Sequence, residues 1–122
     1  MPIQLQQDPT DRLLRTTATG VVTVSEFEGY LADVHRHGRH DLPELIDATG
    51  ADISGFSQRD ILALADYARR MFNENPMARR ALVVGSDETL GAARAFAFCV
   101  AGWWRVGVFE DRATAETWVR ES

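Results

Sequence analysis

At 122 residues, 45% of them apolar and 25% charged, the chain is long enough for one domain, 1–122, with a core of its own. Its 13 Lys and Arg against 18 Asp and Glu leave a net charge of −5 with no basic cluster free of acids, which argues against nucleic acid as a partner. The lone Cys99 excludes an internal disulfide, the start MPIQLQQDPTDR shows neither a basic n-region nor an apolar h-region, and the apolar run AFAFCVAGWW is too short to span a membrane, so a cytoplasmic protein is expected.

In chain order, DRLLRTTATGVVTV (11–24) holds two β-branched runs split around Gly20, and Ala18-Thr19-Gly20 reads as the turn of a hairpin. Ser25 then caps a helix reaching about Val34, with Phe27, Tyr30, Leu31 and Val34 spaced i, i+3, i+4, i+7. Gly38 stops it, and Pro43 restarts an extended segment. ELIDATG (44–50) is a short strand. Ser57 opens the next helix, whose apolar stripe is Ile61, Leu64, Ala65, Ala68 and Phe72, and Asn73-Glu74-Asn75-Pro76 ends it. RRALVVGS (79–86) is apolar through its middle, as a strand covered on both faces is. Ser86 or Asp87 caps a helix to about Val100, with Leu90, Ala93, Ala97 and Val100 on one face and Gly102 breaking it. WWRVGVFED (103–111) is the next strand, and a short helix over 114–119 closes the chain, capped by Asp111, with Ala115, Trp118 and Val119 inward. The order β-β-α-β-α-β-α-β-α implies parallel strands with right-handed crossovers and one antiparallel edge strand.

These elements, with their residues, resemble the SpoIIAA-like family of small bacterial proteins, grouped with STAS and SEC14-type domains. The matching segments are Gly20-Val21-Val22-Thr23, Glu44-Leu45-Ile46-Asp47, Arg80-Ala81-Leu82-Val83-Val84, Gly91-Ala92-Ala93-Arg94-Ala95-Phe96 and Val108-Phe109-Glu110-Asp111 with Ala115 and Trp118. They run in order over nearly the whole chain. The resemblance implies an α/β fold: a right-handed βα superhelix with a mostly parallel sheet of about five strands, an antiparallel edge strand and about four helices. It implies either a non-catalytic switch or interaction module, as in STAS relatives, or a lipid binder, as in SEC14 relatives.

The anti-sigma-factor antagonists among these relatives carry a phosphorylated serine at the start of the second helix, where free N–H donors stabilise phosphate. The matching place here reads Phe56-Ser57-Gln58-Arg59-Asp60, without their Asp-Ser-Ser-Gly pattern. Ser57, and behind it Ser54, are the phosphorylation candidates; the stronger reading of Ser57 is an N-cap with Asp60 at the capping-box position. Gly85-Ser86-Asp87-Glu88 is a strand-to-helix turn whose acids oppose phosphate. Arg94 is a candidate ion-pair partner for Asp47 or Asp87.

His35, His37 and His40 lack the i, i+4 spacing of helical metal ligands, so no metal site is expected. Cys99 sits in an apolar helix end and reads as an inert thiol. With no nucleophile–base pair and no cofactor fingerprint, no enzyme activity and no cofactor are expected. In AFAFCVAGWW, Phe96 and Phe98 do not share a narrow stripe with Leu90, Ala93 and Ala97, and Trp103 and Trp104 alternate along the following segment. At least one of these four aromatics is expected to leave the core and serve an interface or a ligand groove. The leading expectation is a non-catalytic module acting through protein contact as a homodimer. The alternative is a small carrier or sensor of an apolar, lipid-like molecule.

Overall fold

The computed structural model describes residues 3–8, 12–38, 41–72, 78–102 and 104–121. Five strands, β1 (Ile3–Asp8), β2 (Leu13–Val21), β3 (Glu44–Asp52), β4 (Arg80–Val84) and β5 (Val106–Phe109), form one sheet in the order of the chain. β1 runs antiparallel to β2, and all later neighbours are parallel. Helices α1 (Val24–Arg36), α2 (Gln58–Met71), α3 (Asp87–Val100) and α4 (Arg112–Arg120) connect or follow the parallel strands. Among the described residues no helix is long and apolar enough to cross a membrane.

Side chains alternate between the two faces of a strand, so register decides which residues share a face. Leu14, Glu44, Arg80 and Val106 lie in one row across β2 to β5, and Thr16, Ile46, Leu82 and Val108 in the next row on that face. This face is covered by α1, α2 and α3, whose Leu31, Val34, Leu64, Ala68 and Phe72 are fully buried with Val100 and Trp104. The other face carries Leu13, Leu45, Ala81 and Val83, packed on Ala115 and Val119 of α4. The domain is therefore three-layered, with one short helix on the far side. Each large apolar side chain fully buried there contributes about 1.5–3 kcal/mol.

The helix starts follow from their caps. Ser57 accepts a hydrogen bond from the Asp60 backbone N–H at 3.1 Å, and Asp60 accepts one from the Ser57 N–H at 2.9 Å, a complete capping box. The expected α2 stripe, Ile61, Leu64, Ala65, Ala68 and Phe72, is buried throughout; its expected stop at 73–76 lies outside the described residues. Ser86 caps α3 and Asp111 caps α4. The cap of α1 is Thr23 rather than Ser25: the Thr23 hydroxyl accepts from the Glu26 N–H, and Glu26 closes a second capping box. The acid three residues on selects between the two hydroxyl residues, and Ser25 lies inside the helix.

Three further expectations are corrected. Ala18-Thr19-Gly20 is not a hairpin turn. β2 runs unbroken through it, and the register with β3 shifts between Thr17 and Thr19, so the small residues and Gly20 (φ 70°) mark an irregularity within the strand. The reversal instead falls between β1 and β2. The buried face of α3 is Thr89, Ala93, Phe96 and Val100, not Leu90, Ala93, Ala97 and Val100, because the larger ring of Phe96 takes the place next to the sheet. β5 begins at Val106, so Trp104 lies before the strand, not in it.

Candidate functional site

The first row of the helix-covered face carries the most unusual chemistry. Glu44 and Arg80 open neighbouring parallel strands in register, and their side chains are 0% and 2% exposed. Arg80 Nη1 lies 3.0 Å from Glu44 Oε1 and donates to the Leu42 carbonyl at 3.2 Å. The Tyr30 hydroxyl of α1 donates to Glu44 Oε1, and the Thr16 hydroxyl of β2 donates to Oε2. Burial, and after it the charge of Glu44, push the Tyr30 hydroxyl well above the usual tyrosine range, while Arg80 opposes them. Four residues from four elements thus form one polar cluster inside an apolar layer. Such a cluster contributes little net stability compared with an apolar replacement, but breaking it leaves a charge unpaired in the core.

Beside the cluster the layer contains a cavity of about 80 Å³. Its floor is the sheet, with Ala18, Ile46, Ala48 and Leu82, and its roof is the helices, with Phe27, Leu64, Ala93 and Phe96. Thr16, Tyr30, Arg80 and Trp104 also border it, through the apolar parts of their side chains, so the whole lining is apolar. Small residues make the space: Ala18, Ala48, Ala92 and Ala93 stand where larger side chains would fill it. By the cost of cavities in protein cores, about 24 cal/mol per Å³, this space forgoes about 2 kcal/mol of packing. It has room for roughly six water-sized groups.

Trp104 is 5% exposed, with its ring edge-to-face against Phe72 at 5.4 Å and Phe96 at 5.7 Å. Its indole N–H is buried and meets no acceptor among the described residues. A buried donor left in that condition costs about 1–3 kcal/mol.

The predicted site residues separate. Phe96 and Trp104 are core and line the cavity. Phe98 points away from it and is 84% exposed. Trp103 lies outside the described residues. Arg94 is exposed, and it is not the partner of Asp47 or Asp87: Asp47 meets Arg112 of α4 at 3.5 Å and accepts from the Thr49 hydroxyl at 2.7 Å. The Thr49 hydroxyl, with help from the Thr49 backbone N–H and Arg112, holds the Asp47 carboxyl below its usual range against burial, which raises it. The helix carrying Arg94 turns that side chain to solvent, whereas α4 lies on the Asp47 face of the sheet. Asp87 is exposed in the first turn of α3. Ser57 is engaged as the α2 cap, and Ser54 forms a local turn in which Asp52 accepts from both its N–H and its hydroxyl. His35 packs edge-on against Phe72 at 5.6 Å and His37 folds back on the Asp33 carbonyl, while His40 lies outside the described residues.

Sequence reasoning missed Glu44, Arg80, Tyr30 and Thr16. Glu44 and Arg80 each read as the polar start of a strand, and Tyr30 as one more apolar helix position. A signal was present in the opposite charges at equivalent first positions of two adjacent strands.

No family model matches the chain, and no curated protein does. Among solved structures, the chain is similar to an uncharacterized protein of the DUF3478 family from Shewanella loihica, described as having a SpoIIAA-like fold. The two share 19% identity with a TM-score of 0.54, over 96% of this chain and 91% of that one. Together with the strand order and the antiparallel first pair, this likeness establishes that the chain has a SpoIIAA-like α/β fold.

Proposed function

We propose that the protein binds a small, largely apolar molecule between its sheet and helices α1 to α3. The observation that carries this reading is the cavity of about 80 Å³, with an apolar lining of alanines, aliphatic side chains and aromatic rings. A core under selection for stability alone gains by filling such a space. The role is binding without turnover. The wall hydroxyls of Thr16 and Tyr30 both donate to Glu44, and that of Thr89 donates to the Ala51 carbonyl at 3.4 Å, which leaves none of them poised as a nucleophile.

The test is a thermal-shift and calorimetric titration with cyclopentane and n-pentane, whose five carbons fit the space, paired with the cavity-filling variant Ala48→Val. The wild type is expected to bind and gain stability, about 2.7 kcal/mol at a ligand concentration one hundred times Kd. The variant is expected to be more stable without ligand, by up to about 1.5 kcal/mol for two added carbons, and to bind more weakly. A wild type indifferent to both ligands sinks the reading.

A second reading, contact with a protein partner or a second copy, is favoured by Phe98, whose ring is 84% exposed on α3. Sedimentation of wild type and Phe98→Ser separates the two. A dimer that becomes a folded monomer on substitution supports the contact reading. A wild type that is monomeric at every concentration removes the homodimer.

A further inference from the structure

We infer that the protein pairs with a second copy of itself through the outer edge of β5, antiparallel about Val108, so that one sheet runs through both copies. This surface is independent of the cavity and distinct from Phe98. β5 ends the sheet, and among the described residues its outer edge meets no other strand. Register shows what that edge offers. Arg80 lies opposite Val106, and the Arg80 N–H donates to the Arg105 carbonyl at 2.8 Å. Backbone direction alternates along a strand, so Gly107 and Phe109 also turn their backbone groups to β4, while Val106 and Val108 turn theirs outward. Val106–Phe109 contains no charge, proline or bulge, the devices that keep edge strands apart. The opposite edge, β1, reads IQLQQD and is largely polar.

The helix layer ends on the same side. α3 packs on β5, and its Thr89, Ala93, Phe96 and Val100 are buried. Ala92, Ala95 and Cys99 pack against the core cluster shared with α2. At about 100° per residue, Leu90 and Ala97 fall on the other flank of the helix. Both are half-buried and belong to none of the buried clusters. A second copy brings its own Leu90 and Ala97 alongside them.

Charge selects the register. A two-fold axis normal to the sheet at Val108 sets Val108 opposite its own copy, Val106 opposite the second copy's Glu110, and Arg105 opposite the second copy's Asp111. Directly opposed residues share a face, so Arg105 and Asp111 meet at both ends of the pair. Arg105 is exposed and forms no ion pair among the described residues. Asp111 is exposed too, and its Oδ2 accepts from the Thr114 hydroxyl at 2.5 Å and the Thr114 N–H at 2.9 Å. Those bonds hold its carboxyl below the usual carboxylate range. An axis at Gly107 would instead set Arg105 against Phe109 and lose the charge pair.

The experiment combines sedimentation velocity, up to millimolar protein, with hydrogen exchange of single backbone amides followed by NMR. It uses wild type, Arg105→Glu and Phe98→Ser. The wild type is expected to dimerise. Its Val108 amide, turned outward in the monomer, is expected to exchange more slowly as concentration rises, while the Gly107 amide, turned to β4, does not change. Arg105→Glu sets acid against acid at both ends of the pair and is expected to weaken association about tenfold at low salt, with high salt narrowing the gap. Phe98→Ser is expected to leave association unchanged. A wild type that stays monomeric at millimolar concentration overturns the inference. So does a dimer that Phe98→Ser dissociates and Arg105→Glu does not. A dimer in which β1 amides gain protection and Val108 does not overturns it as well.

Discussion

Replacing Glu44 by glutamine keeps the shape of the side chain and removes its charge. Glu44 is fully buried, and its Oε1 serves both Arg80 and the Tyr30 hydroxyl while Oε2 serves Thr16. The amide offers one acceptor oxygen in place of two, and its NH2 turns a donor toward a donor. Arg80, itself 2% exposed, loses the charge of Glu44. Breaking a buried pair in this way costs about 3–5 kcal/mol. A domain of this size holds only about 6–18 kcal/mol in all. At about 4 °C per kcal/mol, Glu44→Gln is expected to lower Tm by about 12–20 °C. Urea unfolding with an unchanged m value reads the free energy directly. The combined replacement Glu44→Leu, Arg80→Met and Tyr30→Phe is expected to recover most of the loss, because it removes the buried charges and one stranded hydroxyl together. A Glu44→Gln protein within about 1 kcal/mol of wild type would refute the account of the cluster as a desolvated, charge-paired unit.

Tyr30→Phe tests the same cluster through pH. The Tyr30 hydroxyl is held well above the tyrosine range in the folded protein, so above about pH 10 the folded state keeps a proton that the unfolded chain loses. The contribution of Tyr30 is thus complete below that pH and is lost as pH rises further; the variant is expected to show a shallower alkaline fall in unfolding free energy, and identical slopes would contradict the assignment. At the start of α2, Ser57→Ala is expected to cost about 1 kcal/mol in urea unfolding while Ser57→Asp is tolerated, since aspartate also caps; a phosphoserine at 57 in protein from its natural source would instead favour the switch reading.

Much of this architecture is local and was legible in the residues. The α2 stripe, the Ser57–Asp60 capping box, the caps at Ser86 and Asp111 and the β-α alternation depend on neighbours three or four positions apart, where periodicity and hydrogen-bond chemistry act directly. The expectation that at least one aromatic of the 95–104 segment leaves the core followed from the same helical geometry, and among the described residues Phe98 does so. Whether its exposure serves a partner is not a local property. The hairpin failed as an expectation because a short run of small residues signals a bulge as readily as a turn, and only pairing with β3 distinguishes them.

The candidate site belongs to the tertiary structure. Glu44 and Arg80 are 36 positions apart and meet because β3 and β4 pair in one register; a slip of one strand by one residue would turn its member of the pair to the α4 face. The cavity likewise exists only where the alanines of two strands and one helix face each other across the layer, a volume that no window of sequence contains. Side-chain type and short-range order are written in the chain, whereas the register of distant strands and the space left between layers are set by the whole core packing at once.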